Sequence, residues 1–184
     1  MGGSKSYKLR DKSSQYSTGT FRIIAVGLLV IGLTVAGFIS LHRTHTDGPI
    51  PQTIKRQVAF VIFYPSPKTA VVVDVNSFKY DTKEKLLSYV VNYANTPITI
   101  AEQATPQNFI DIPQAYDKLI ESLGEYGSFQ SYYDKVSLTH PKEFNGQQSA
   151  VMNSKGTLVF AHPTKGDLTE DQWKKLFNGF EVIR

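Results

Sequence analysis

An uncharged apolar run near the N-terminus constrains this chain more than any other feature. The stretch "FRIIAVGLLVIGLTVAGFISLH" covers residues 21–42, and the 19 residues from Ile23 to Leu41 carry no charge. As an α-helix rising about 1.5 Å per residue, they span about 28 Å. That length is close to the ~30 Å thickness of a bilayer's hydrocarbon core. We therefore predict a single transmembrane helix over residues 21–42.

A cleaved signal peptide is the competing interpretation of this run. The apolar part of a signal peptide is about 7–15 residues long and ends at a small-x-small cleavage site. The best such site here, Val35-Ala36-Gly37, is followed by further apolar residues up to Leu41. We therefore predict that the helix is retained as an anchor.

The apolar helix after Gly19 also resembles the start of type IV pilins. That family carries a glutamate at the fifth position of the mature chain, where this sequence has Ile24 or Ala25. Arg22 is a second departure from the pattern, so the anchor remains the preferred interpretation.

The net charge of +4 is confined to the N-terminal tail. Residues 1–22 contain five Lys and Arg and one Asp, whereas residues 42–184 contain 15 basic and 15 acidic residues. A nucleic-acid-binding protein would concentrate its positive charge on its folded domain. Basic residues next to a membrane helix instead favour placement of that end of the helix on the cytoplasmic side. We predict a cytoplasmic tail (1–20), an extracytoplasmic domain and no nucleic-acid partner.

The sequence contains no cysteine. Disulfides, thiolate catalysis, Cys-ligated zinc, iron–sulfur clusters and a lipid anchor on Cys are therefore excluded. The usual nucleophile, phosphate-binding and dinucleotide-binding motifs are also missing from the sequence. We predict no catalytic residue, no metal site and no cofactor.

The rest of the chain reads as a short linker followed by a domain rich in β-strands. The linker, residues 43–56, contains Gly48, Pro49 and Pro51 and has no periodicity. From residue 57 onward, apolar residues alternate in short runs separated by turn residues, which indicates antiparallel strands. These runs are QVAFVIFYP, AVVVDV, KLLSYVVNYA, PITIAEQ, SFQSYY, KVSLTH, QQSAVMN and GTLVFAH. Turns are predicted at Asn145-Gly146 and at Asn153 to Gly156.

Two helices interrupt the strands. The first, IPQAYDKLIESLG, has Pro113 in its first turn, an apolar stripe from Tyr116 to Leu123 and Gly124 at its end. The second, LTEDQWKKLFNGF, begins with a predicted capping box between Thr169 and Gln172. Its predicted buried face consists of Trp173, Leu176, Phe177 and Phe180. These elements predict an α+β fold in residues 57–184: a meandering antiparallel sheet of about six to eight strands, with helices covering one face.

A few side chains are candidates for sites of chemistry. Glu102 continues the Ile98–Ile100 row and so points toward the buried face, where its pKa would rise. The preferred interpretation is that the strand ends at Glu102 and the carboxylate reaches water. His162 continues the row of Leu158 and Phe160, and His140 lies in a loop. The pair His42 and His45 is interpreted as solvated.

The order of anchor, linker, strands, "ITIAEQATPQNF" and "GTLVFAHPTKGDLTEDQWKKLFNGFEVI" resembles a group of uncharacterised bacterial membrane-anchored envelope proteins. The elements ITIAEQ, LVFA, W and LF are also similar to half-barrel domains of the lipoprotein-carrier and sigma-regulator kind. Those domains have a curved sheet with helices in its concave face, and some bind lipid or peptide there. No functional residue is transferred from either group.

Three functions are compatible with the sequence of the domain. The preferred hypothesis is a non-catalytic domain that contacts an envelope protein or the cell wall. The alternative is a carrier or sensor that holds an apolar lipid or peptide between sheet and helices. A hydrolase that uses Glu102 or a histidine is the third.

Overall fold

A computed structural model of the chain describes residues 50–183. The predicted tail, transmembrane helix and residues 43–49 of the linker lie outside this range. Within it, no helix is long and apolar enough to cross a membrane. The elements in chain order are α1 (Gln52–Lys55), β1 (Ile62–Pro65), β2 (Val72–Asp81), β3 (Leu86–Tyr93), β4 (Thr96–Ala104), α2 (Gln107–Asp111), α3 (Pro113–Ser122), β5 (Glu125–Gln130), β6 (Lys135–Thr139), a 3₁₀ turn (Lys142–Phe144), β7 (Ser149–Ser154), β8 (Thr157–Pro163), α4 (Glu170–Asn178) and β9 (Phe180–Ile183).

Seven of these strands form one antiparallel sheet in the order β2-β3-β4-β8-β7-β6-β5. It consists of two meanders, β2-β3-β4 and β5-β6-β7-β8, joined where β4 pairs with β8. The predicted turn after Asn153 is confirmed as a two-residue loop, with Lys155 and Gly156 at φ 51° and 76°. Positive φ at both residues gives the turn a twist that matches the flanking strands.

The remaining two strands, β1 and β9, form a separate antiparallel ribbon. Its register pairs Ile62 with Ile183 and Pro65 with Phe180, so the start and the end of the described domain are paired. Side chains from both strands, including Phe63 and Phe180, belong to the larger of two hydrophobic clusters.

The sheet is covered on both faces, because its two sets of alternating side chains enter different clusters. In β8, Val159 and Ala161 pack on the side of α4 and the β1–β9 ribbon. Leu158 and Phe160 pack on the opposite side, against α2 and α3. The α+β fold is therefore confirmed, whereas the prediction of helices on one face only is wrong. Two separated apolar helices each need an apolar surface to bury, and both faces of the central strands supply one.

The predicted helices form close to their expected positions. Pro113 lies in the first turn of α3, and Thr169 and Gln172 form the predicted capping box of α4. The sequence did not predict α1, which lies in the stretch expected to be a linker, nor the short helix α2, the 3₁₀ turn or the strand β9. Phe180, predicted on the buried face of α4, is instead the first residue of β9, because the helix ends at Asn178.

Candidate functional site

Glu102 lies on β4, an interior strand of the sheet, with 0% of its surface exposed. It shares the face of Ile98 and Ile100, as the alternation predicted. The expectation that the strand ends there and the carboxylate reaches water is wrong, because β4 continues to Ala104 and β1 packs over it. Oε2 of Glu102 accepts a hydrogen bond from the backbone N–H of Phe63 at 2.9 Å.

Tyr89 completes a closed set of three polar groups with Glu102 and the backbone of Phe63. Its hydroxyl oxygen lies 2.5 Å from the carbonyl oxygen of Phe63 and 3.0 Å from Oε1 of Glu102. A tyrosine hydroxyl has one hydrogen, so it cannot donate to both oxygens. When the hydroxyl donates to the nearer oxygen, the carbonyl of Phe63, the proton between Oε1 and Tyr89 must belong to Glu102. A neutral Glu102 therefore satisfies every polar group in the set.

The electrostatics agree with this assignment. Burial raises the pKa of Glu102 from 4.5 to about 8 and outweighs the hydrogen bonds that an ionised carboxylate would accept from Phe63 and Tyr89, which act to lower it. Burial and the neighbouring Glu102 also raise the pKa of Tyr89 well above its ordinary value. A raised carboxyl pKa often marks a catalytic acid or base. Here the carboxyl has no exposed surface on which a substrate could approach, so its role is to join the β1–β9 ribbon to the sheet.

His162 has one suggestive partner. Its Nδ1 lies 3.0 Å from Oγ of Ser149 in the neighbouring strand, and its ring stacks on Phe144 with centroids 4.1 Å apart. Burial lowers the pKa of His162, and a hydrogen bond with the Gln148 backbone acts in the opposite direction. Ser149 is fully buried. A nucleophilic serine needs access to substrate and a base oriented by a third group, so this pair lacks the features of a catalytic dyad.

The other described histidine, His140, lies after β6 and is exposed. Its ring stacks on Tyr126 with centroids 4.1 Å apart. Within residues 50–183, no three His, Asp or Glu side chains lie close enough together to hold a metal ion. His42 and His45 lie outside these residues.

A surface cleft of about 380 Å³ lies between the β5–β6 turn and α4. It is lined by Tyr132, Asp171, Lys174, Lys175, Asn178 and Gly179. Tyr132 leaves 82% of its surface exposed, the largest value among the exposed large apolar and aromatic residues. We call this surface the Tyr132 cleft. Tyr and Lys side chains share this concavity. A ligand bound there could therefore pack an apolar face on the tyrosine ring and place an anionic group near the lysines.

The turn that carries Tyr132 is held in place by an extensive set of hydrogen bonds. Oγ of Ser131 donates to the carbonyl of Asp134 and accepts from the backbone N–H groups of Tyr133 and Asp134. The hydroxyl of Tyr133 donates to the carbonyl of Phe180 at 2.7 Å, and its ring packs edge-on against Phe63. The Tyr132 side chain is therefore presented on a preorganised support, which lowers the entropic cost of binding.

Helix α4 supplies the opposite wall of the cleft. Trp173, Leu176 and Phe177 anchor the inner side of the helix in the core. The sequence alone does not predict the cleft, although one of its walls has a local signal. Residues 171, 174, 175 and 178 follow the i, i+3, i+4, i+7 spacing of a single helical stripe, opposite the apolar one. The pairing of that stripe with Tyr132, about 40 positions earlier, depends on the tertiary fold.

The fold and this site define an antiparallel α+β domain with a polar, tyrosine-bearing cleft. Comparison of the chain with protein-family models, with curated proteins and with solved structures found no match.

Proposed function

We propose that this protein is a single-pass membrane protein whose extracytoplasmic domain binds an envelope protein or the cell wall, without catalysis. The Tyr132 cleft is the observation that carries the proposal. It presents an exposed tyrosine ring on a hydrogen-bonded turn, and tyrosine is one of the residues that dominate binding energy in many interfaces. The membrane anchor is residues 21–42, and the basic tail before it is cytoplasmic.

Packing beneath α4 favours this function over carriage of an apolar ligand. A carrier of the half-barrel kind would need space between its sheet and its helix. Here Trp173, Leu176 and Phe177 of α4 have no exposed surface and belong to the same cluster as sheet residues such as Met152 and Val159. The side of the sheet that faces α4 is thus occupied by the protein's own side chains.

The orientation in the membrane can be tested by labelling, because the chain has no native cysteine. We expect Lys165→Cys, at an exposed position of the domain, to react with a membrane-impermeant maleimide on intact cells or spheroplasts. Ser6→Cys in the tail should react only after the membrane is permeabilised. The reverse pattern, or equal labelling of both variants before permeabilisation, would contradict the proposed topology.

The binding surface can be tested by site-specific crosslinking in the native membrane. A photoactivatable residue at position 132 of the full-length chain should give a discrete crosslinked product. The matched control is position 75, since Val75 is also exposed but lies on β2 at the opposite edge of the sheet from β5. Tyr132 is close to the cleft's charged groups and Val75 is not, so identical crosslinking at both positions would refute the assignment of the surface.

A further inference from the structure

The two lysines of the Tyr132 cleft lack ionic partners. Among residues 50–183, the ion pairs are Lys83–Glu84 and Lys135–Glu125, and neither involves the cleft. Lys174 and Lys175 are both exposed, and they stand beside the single carboxylate of Asp171. The cleft therefore carries an uncompensated positive charge that an anionic group of a ligand would neutralise.

Asn178 adds directed hydrogen-bonding capacity next to these cations. Its Oδ1 accepts a hydrogen bond from the backbone N–H of Tyr132 at 2.8 Å, which fixes the orientation of the amide. The Nδ2 group of Asn178 then points away from that contact and has two hydrogens to donate. Asp171 supplies acceptor oxygens on the same wall. Both donors and acceptors are thus available to a polar ligand.

From this arrangement we propose that the Tyr132 cleft binds an anionic glycan. A sugar ring packs its C–H face on the Tyr132 ring, its hydroxyl and amide groups bond Asn178 and Asp171, and its carboxylate contacts Lys174 and Lys175. The inference rests on the proposed function, whose binding partner it narrows to a wall polymer of carboxylated sugars.

The shape and chemistry of the cleft favour a glycan over an acidic peptide. One recurring mode of peptide binding adds an extended strand to a sheet edge, where backbone groups are available for pairing. None of the residues that line the cleft lies in a strand. A largely exposed tyrosine ring beside mixed donors and acceptors suits a ring-shaped ligand that has one apolar face and a polar rim.

The test compares two glycans that differ in the carboxylate. Full-length protein in lipid nanodiscs is titrated with oligosaccharides of alternating N-acetylglucosamine and N-acetylmuramic acid. The matched probe is a chitin oligosaccharide of equal length, which has the same backbone without the lactyl carboxylates. We expect the carboxylated glycan to bind with about tenfold lower Kd. Equal affinity for both would overturn the proposal, because the lysines would then have no role.

Substitutions in the cleft test whether it is the site that binds the glycan. Combined Lys174→Ala and Lys175→Ala should raise the Kd for the carboxylated glycan about tenfold and leave the Kd for chitin nearly unchanged. Tyr132→Ala should weaken binding of both glycans, whereas Tyr132→Phe, which keeps the ring, should not. The control, Lys79→Ala with Lys83→Ala, removes two charges on or next to β2 at the opposite sheet edge. An equal effect of this control would overturn the proposal.

A third probe separates this proposal from the wider function. A glutamate-containing peptide with the same number of carboxylates should bind more weakly than the carboxylated glycan. Tighter, Tyr132-dependent binding of the peptide would overturn the glycan assignment and leave a protein partner in its place. If no glycan binds but crosslinking from position 132 persists, the glycan assignment is likewise overturned and a protein partner remains. If neither glycan binding nor crosslinking from position 132 is found, the proposed function is overturned as well.

Discussion

Glu102→Gln is expected to stabilise this protein at pH 9 while leaving its stability at pH 4 nearly unchanged. A glutamine keeps the neutral form of the Glu102 side chain. Its oxygen can accept from the N–H of Phe63, and its amide nitrogen can donate to the oxygen of Tyr89. The contacts that a protonated Glu102 makes at 2.9 Å and 3.0 Å are therefore reproduced at every pH.

The sign of the effect follows from proton linkage. Below pH 4.5, Glu102 is protonated in both the folded and the unfolded chain. Between pH 4.5 and about 8, the folded chain holds a proton that the unfolded chain has lost, so the free energy of unfolding falls as pH rises. Above pH 8 both states are ionised and this dependence ends. Across this interval the free energy of unfolding falls by about 5 kcal/mol, a large part of the ~5–15 kcal/mol that stabilises a typical domain.

The measurement is urea unfolding of wild type and Glu102→Gln from pH 4 to pH 9, followed by the fluorescence of the single tryptophan. Other groups also titrate in this range, since burial lowers the pKa of His162 and so reduces stability at acidic pH. The difference between the two proteins isolates Glu102. A difference that stays constant across the range would show that Glu102 does not titrate with a raised pKa.

Glu102→Ala provides the complementary control. It removes both oxygens and leaves the N–H of Phe63 without its partner in a buried environment. An unsatisfied buried donor costs about 1–3 kcal/mol, and the lost side-chain volume adds to this. We expect this variant to be less stable than Glu102→Gln at every pH, since it removes the titrating group without preserving the contacts.

Local patterns in the sequence predicted much of the fold but not the environment of Glu102. Alternation along β4 placed its side chain on the face of Ile98 and Ile100, because period two is a property of the strand itself. Its burial depends on Phe63, which lies 39 positions earlier and reaches Glu102 only when β1 pairs with β9. That pairing joins the two ends of the domain and has no local signature.

The same distinction applies to the Tyr132 cleft and to α4. The capping box of α4 was predictable because Thr169 and Gln172 are three positions apart. The polar stripe of α4 was visible in the sequence as well, yet it reads as an ordinary solvated face. It becomes a cleft only because Asn178 bonds the backbone of Tyr132 across the tertiary structure.

Trp173→Ala is expected to produce the largest loss of stability among single substitutions in α4. The indole is fully buried, and its Nε1 donates to Oε1 of Gln148 at 2.7 Å. The same oxygen accepts from the backbone N–H of Leu168 at 2.9 Å. Truncation of a buried tryptophan leaves a cavity and costs about 3–5 kcal/mol.

Trp173→Phe separates the packing of the indole from its hydrogen bond. A phenyl ring fills much of the same space, but it leaves Gln148 Oε1 with Leu168 alone as a donor. We expect a loss of about 1–3 kcal/mol. Tyr132→Ala, on the exposed turn, should change stability by less than about 0.5 kcal/mol. The measurement is urea unfolding of the detergent-solubilised full-length chain by far-UV circular dichroism, because the Trp173 variants lack the fluorescent reporter. Unchanged stability of Trp173→Ala would show that the indole does not fix α4 to the domain core. The wall that α4 gives to the Tyr132 cleft would then lack its main anchor.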